Sequence, residues 1–148
     1  LGLPVKLDTN GTLPHRLAAL LTNPATRPDY VALDLKLAPG RYRELLAPGS
    51  AAESNPGAAL IESVRLLRTQ GVPHELRSLV FPDDTFTEKD VQELAELVAG
   101  DTPWYFSAFK PGTCLDPDWN ERPGTSKADT QKIAALARLA GKNGIFRG

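Results

Sequence analysis

The sequence predicts an α/β fold: a parallel sheet with helices on its outer face, curled into part of a (β/α) barrel. Three observations carry this. Short aliphatic segments that alternate with period 2 are each followed by a segment with helical spacing, four times in succession. The strand-like segments are aliphatic enough to be buried on the face that helices cover, as parallel strands are. Charged residues recur at the C-terminal ends of these segments, where α/β proteins place their chemistry. Right-handed crossovers between successive parallel strands then curl the sheet toward a barrel.

The first strand is Val5-Lys6-Leu7-Asp8, with Val5 and Leu7 on one face and Lys6 and Asp8 on the other. Asn10-Gly11 supplies a turn, because both residues tolerate positive φ, and Thr12 is the expected N-cap ahead of Pro14. A helix over about Leu13 to Leu21 carries Leu17, Leu20 and Leu21 on one stripe. The second strand, Tyr30 to Lys36, repeats the first: Val31, Leu33 and Leu35 face the helices, while Ala32, Asp34 and Lys36 face the other way. Residues 38–56 read as a long loop with a helical turn at Tyr42–Leu46, and loops of that length tend to be functional. The second helix spans Pro56 to Gln70, with Leu60, Ile61, Val64, Leu67 and Arg68 at helical spacing and Gly71 as its stop. His74 to Phe81 forms the third strand, with Glu75 and Arg77 sharing a face, ended by Pro82 and the acidic turn Asp83-Asp84.

In the third helix Thr87 is the cap and Asp90 the third residue of a capping box, before the stripe Val91, Leu94, Ala95, Leu97 and Val98. Trp104 to Phe109 is the fourth strand, followed by Lys110-Pro111-Gly112 and a Pro-, Asp- and Gly-rich loop through Gly124. A fourth helix over Ser126 to Ala140 and a short strand, Gly144-Ile145-Phe146, complete the chain.

A chain of 148 residues makes one domain, 1–148, below the usual size of an eight-fold barrel. Seventeen basic and 18 acidic residues leave a net charge of -1, so nothing in the charge suggests a polyanion partner or a membrane surface. No apolar run is long enough to span a bilayer, no signal-peptide pattern is visible, and the one cysteine, Cys114, excludes an intramolecular disulfide. A cytoplasmic protein is expected. The abrupt start at Leu1, almost inside the first strand, suggests a piece of a longer protein.

No Gly-rich phosphate fingerprint, zinc constellation or nucleophile elbow is present; His15, His74 and Cys114 are isolated and read as structural or solvent-facing. What remains is Asp8, Asp34, Lys36 and Arg77 at strand ends, which parallel alignment brings to one mouth. Arg77 suits a carboxylate or ribose, Lys36 a carboxylate, and the two aspartates a cation or an amine. The residues therefore predict a polar small-ligand pocket. Asp8 and Asp34, on strands expected to be neighbours, need a positive charge between them, either Lys36 or a bound sodium or potassium ion.

The runs Val5 to Gly11 and Asp29 to Lys36, the strand Glu75-Leu76-Arg77 and the closing Phe109-Lys110-Pro111-Gly112 resemble, in order and spacing, the radical S-adenosylmethionine activating enzymes. Those that activate anaerobic ribonucleotide reductase and pyruvate formate-lyase look nearest, and the resemblance covers essentially the whole chain. It implies the last four of six β/α units of a partial barrel. It also implies an oxidoreductase in which a [4Fe–4S] cluster cleaves S-adenosylmethionine, and the radical formed takes hydrogen from a glycine of a glycyl-radical enzyme. Asp8, Asp34, Lys36 and Arg77 would lie around S-adenosylmethionine; Asp8, Thr9, the Ala32 carbonyl and Asp34 match positions that hold a monovalent cation. The CxxxCxxC and Gly-Gly-Glu motifs of the family are absent, which places them upstream of Leu1 and predicts that this chain alone is inactive. Ser107-Ala108 also departs from the family's pattern in the fourth strand. The alternative is a non-catalytic half-barrel that binds a nucleotide-like ligand or a protein. Either way, the edge at Leu3–Leu7 invites self-association.

Overall fold

The computed structural model describes residues 2–45, 55–82, 85–114 and 116–148. The middle of the expected loop over 38–56, residues 46–54 with Leu46 among them, and the Asp83-Asp84 turn lie outside the described residues. Five strands form one sheet in sequential order: β1 (Lys6–Thr9), β2 (Tyr30–Asp34), β3 (His74–Val80), β4 (Pro103–Ala108) and β5 (Asn143–Arg147). Every neighbouring pair is parallel. Between them run α1 (Pro14–Thr22), α2 (Pro56–Thr69), α3 (Glu88–Leu97) and α4 (Lys127–Leu139), with short 3-10 helices at Pro39–Leu45 and Pro117–Glu121. Strands added in sequence order through right-handed crossovers keep the helices on one side of the sheet, an arrangement compatible with a partial β/α barrel.

Register assigns the faces. Leu7, Val31, Leu33, Leu76, Trp104 and Phe106 fall on one side. The helices bury it, with Val31, Leu33, Trp104 and Phe106 at zero exposure. Ser78, buried on this side, is satisfied twice: its hydroxyl donates to Leu35 O (2.6 Å) and accepts from Trp104 Nε1 (2.9 Å). The opposite, concave face carries Lys6, Asp8, Ala32, Asp34, Glu75, Arg77, Tyr105, Ser107 and Arg147.

Several expected boundaries move for local reasons. Thr12 is not the cap of α1. Leu13 holds that position without a side-chain bond, while the Asn10 carboxamide accepts from both Thr12 N and Thr12 Oγ1. Gly11 takes positive φ (71°), and a Cβ there would lie 3.1 Å from Leu60 Cδ1 and 3.2 Å from Leu33 Cδ1. On α2 the buried stripe is Leu60, Ser63, Val64 and Leu67 with Leu66 beside it, whereas Ile61 and Arg68 face outward. Ser63 is drawn in because its hydroxyl donates to Gly11 O (2.8 Å). The capping box of α3 forms as expected, and its Asp90 does more than cap. Fully buried, it also accepts from Ala38 N (2.8 Å) and pairs with Arg41 (2.5 Å), tying the 3-10 helix after β2 to α3. Among the described residues no strand pairs with the outer edge of β1, and Leu3 is 75% and Val5 59% exposed.

Candidate functional site

The concave face is built from two layers of charge. The deeper layer centres on Glu75 of β3, which is 4% exposed. Its carboxylate accepts from Lys6 Nζ of β1 (3.0 Å), Tyr30 Oη of β2 (3.4 Å) and Arg147 Nη1 of β5 (3.5 Å). Burial works to raise the Glu75 carboxyl, but Lys6 and Arg147 outweigh it and hold the group below its ordinary value. Arg147 in turn lies 3.7 Å over the Tyr105 ring.

The upper layer, at the C-terminal ends of the strands, joins Asp8, Asp34 and Arg77. Arg77 stands opposite Asp34 in register. Its Nε and Nη2 reach Asp34 Oδ1 at 2.9 and 2.8 Å, and its Nη1 crosses β2 to Asp8 Oδ2 at 2.8 Å. The positive charge between the two aspartates is therefore the Arg77 guanidinium, where sequence reasoning offered Lys36 or an alkali ion. Hydrogen bonding from Arg77 keeps Asp8 below the usual carboxylate range, and both aspartates hold Arg77 above its ordinary value against the opposing effect of burial.

Thr9, expected beside the aspartates, follows Asp8 on the strand and so falls on the helix-facing side; its hydroxyl accepts from Gly11 N (3.2 Å). Ala32 lies in register with Asp8 and is fully buried. Among the described residues no three of His, Cys, Asp and Glu come together to hold a metal ion. Arg77 bridges the two aspartates and supplies a counter-charge to both.

A cavity of about 380 Å³ opens above this layer, lined by Asp34, Lys36, Arg77, Leu79, Ser107 and Arg147. The Lys36 ammonium and Asp34 Oδ2 make no ion pair or hydrogen bond among the described residues, so an anion acceptor and a cation acceptor face one space. Beside it, sharing Leu79, Ser107 and Arg147, lies a more apolar cavity of about 650 Å³ that adds Ala108, Phe109, Cys114 and Phe146. Its rim bears Lys110 and Lys127. Of the four strand-end residues expected at one mouth, Asp34, Lys36 and Arg77 line this cavity and Asp8 does not, while Arg147 and Ser107, which sequence reasoning missed, do. β5 runs through Arg147 rather than stopping at Phe146, and only the register Ser107↔Arg147 shows that both face the mouth. His74 is structural, its Nδ1 2.8 Å from Val72 O, and Cys114 is a half-buried wall of the apolar cavity.

No protein-family model matches the chain, and no solved structure does. A curated protein of Methanocaldococcus jannaschii is 25% identical over 146 residues, which is 99% of this chain and 59% of that relative. Along nearly its whole length, the chain is thus similar to, and spans about three fifths of, a protein described as "Putative glycyl-radical enzyme activating enzyme".

Proposed function

We propose that the chain is the C-terminal part of a radical S-adenosylmethionine enzyme that activates a glycyl-radical enzyme, and that its polar mouth holds the cofactor's amino-acid end. One observation carries the binding part of this reading: Lys36 and Asp34, whose ammonium and Oδ2 make no ion pair or hydrogen bond among the described residues, line the same 380 Å³ cavity. A zwitterionic α-amino acid group has the complementary pair, its carboxylate for Lys36 and its ammonium for Asp34. The neighbouring apolar cavity suits the flat adenine and its ribose. The similarity to the archaeal activating enzyme supports the reaction class.

In this reading Arg77 neutralises Asp8 and shares Asp34, which leaves one oxygen of Asp34 for the ligand's amine. Arg147 and Ser107 form the boundary between the polar and apolar parts. When bound, S-adenosylmethionine supplies the radical that takes a hydrogen atom from a glycine of the partner enzyme. The [4Fe–4S] cluster that starts that chemistry needs several thiolates, and Cys114 is the one cysteine here, so this chain's residues do not fit the cluster. Their part is to bind and orient the cofactor.

Calorimetric titration with S-adenosylhomocysteine, a stable analogue with the same amino-acid end, tests the reading. Binding is expected, and Lys36→Ala and Asp34→Ala should each weaken it by about tenfold or more, the value of a hydrogen bond to a charged group. In the intact parent enzyme the same changes should diminish the glycyl-radical signal formed on its partner, read by electron paramagnetic resonance. No binding, or binding indifferent to both changes, would refute the assignment of this mouth.

A further inference from the structure

β2 loses its neighbour before it reaches its last functional residue. β1 ends at Thr9, opposite Leu33, because Asn10 and Gly11 turn away. On the β3 side the ladder continues: Leu35 N donates to Arg77 O (2.7 Å), and Leu35 O accepts from Ser78 Oγ. On the β1 side, Asp34 O and Lys36 N would be left without a strand to pair with. Both find the same atom. Tyr42 Oη donates to Asp34 O (3.2 Å) and accepts from Lys36 N (3.0 Å), as a residue of a longer β1 would have done.

Building on the reading of the mouth given above, we propose that Tyr42 is a positioning residue, whose hydroxyl adds one rung to the β2 ladder and thereby keeps Asp34 and Lys36 on one face of an extended strand. Without that rung, the backbone between them is free to rotate, and the carboxylate and ammonium no longer address the two ends of one ligand group.

The surroundings fit such a role. Tyr42 is 3% exposed, and burial pushes its hydroxyl up to about 12, so it remains a neutral donor and acceptor at physiological pH. The 3-10 helix that carries it, Pro39–Leu45, is fixed just ahead of the tyrosine: Arg41 and Ala38 N bind buried Asp90 on α3, and Gly57 of α2 packs against Pro39. A Cβ on Gly57 would lie 2.0 Å from Pro39 O. The clamp on Tyr42 thus comes from two helices that take no part in the mouth.

Tyr42→Phe removes the hydroxyl and keeps the buried ring. Two ligands separate positioning from general loosening: S-adenosylhomocysteine, which has the amino-acid end, and adenosine, which lacks it. Tyr42→Phe should weaken S-adenosylhomocysteine binding by about three- to tenfold, the range of a lost hydrogen bond. Adenosine binding should change less than about twofold, within the same scale. In a Lys36→Ala background, Tyr42→Phe should lose most of its effect on S-adenosylhomocysteine, because the residue acts through Lys36. Equal weakening of both ligands, no weakening of either, or full additivity with Lys36→Ala would each overturn the proposal. A wild-type chain that binds the two ligands with equal affinity would instead overturn the assignment of the mouth on which it rests.

Discussion

Glu75→Gln should destabilise the protein by about 1–3 kcal/mol near pH 7, with the loss fading in acid. Glutamine keeps the shape of Glu75 and removes its charge, leaving Lys6 and Arg147 on the concave face without their common anion. At 3.0 and 3.5 Å the two attractions sum to about 10 kcal/mol at an effective dielectric of 20. Desolvation of the buried carboxylate offsets much of this, and both cations have side chains 45% exposed, so they rehydrate when the anion is gone. That is why the expected cost falls well below the Coulomb sum. At about 3 °C per kcal/mol for a domain of this size, Tm should drop by about 3–9 °C. The Glu75 carboxyl is held below its ordinary value of 4.5 in the folded state. Its contribution is therefore present above the unfolded value and lost as pH falls through the folded one. Urea titrations of wild type and Glu75→Gln at pH 7, 5 and 3 give the difference directly. It should be largest at pH 7 and 5 and shrink at pH 3. A difference that does not change with pH, or one below about 0.3 kcal/mol at pH 7, would refute the assignment of Glu75 as the anion that binds β1 to β5, since surface pairs alone reach that size.

Arg77→Ala should raise the Asp8 carboxyl toward its ordinary value and lower stability above pH 4, because the two aspartates then face each other without a counter-charge. Thermal melts should also show added sodium or potassium stabilising Arg77→Ala more than a bulky organic cation does at equal ionic strength, while wild type responds alike to all three. A specific alkali-ion effect on wild type would mean that the ion, not Arg77, separates the aspartates. Gly57→Ala should cost about 1–3 kcal/mol by chemical denaturation, since its Cβ would meet the Pro39 carbonyl and the backbone must give way.

The parallel sheet was legible because each strand is a short alternating segment with a helix-facing side that is mostly apolar. Val31, Leu33 and Leu35 could belong to no other face, and once they are assigned, Asp34 and Lys36 must point the other way. The same alternation placed Arg77 on the concave face. What it could not supply was distance between strands. Alternation orders residues along one strand, and register orders them across strands; only the second shows Arg77 opposite Asp34 and within reach of Asp8. Lys36 was the natural candidate from sequence because it is two residues from Asp34, yet a side chain on the adjacent strand is the nearer neighbour.

Arg147, Ser107 and Tyr42 share a different kind of invisibility. Arg147 sits one residue beyond an apolar pair, where a strand normally frays, and is kept in the sheet by pairing with Ser107 and by its contacts to Glu75 and Tyr105. Tyr42 lies in a loop rich in proline and glycine, where a buried aromatic reads as a packing residue. Its hydroxyl matters because β1 is two residues too short to pair with the end of β2, a fact about a different strand. In a sheet built by sequential addition, each strand's functional tip depends on how far its predecessor extends. A short predecessor leaves backbone groups that some other segment must satisfy, and that segment then gains control over the tip's side chains. The loop after β2 does so here through one hydroxyl, and the burial of that hydroxyl, rather than any charge, makes its hold on Asp34 and Lys36 independent of pH across the physiological range.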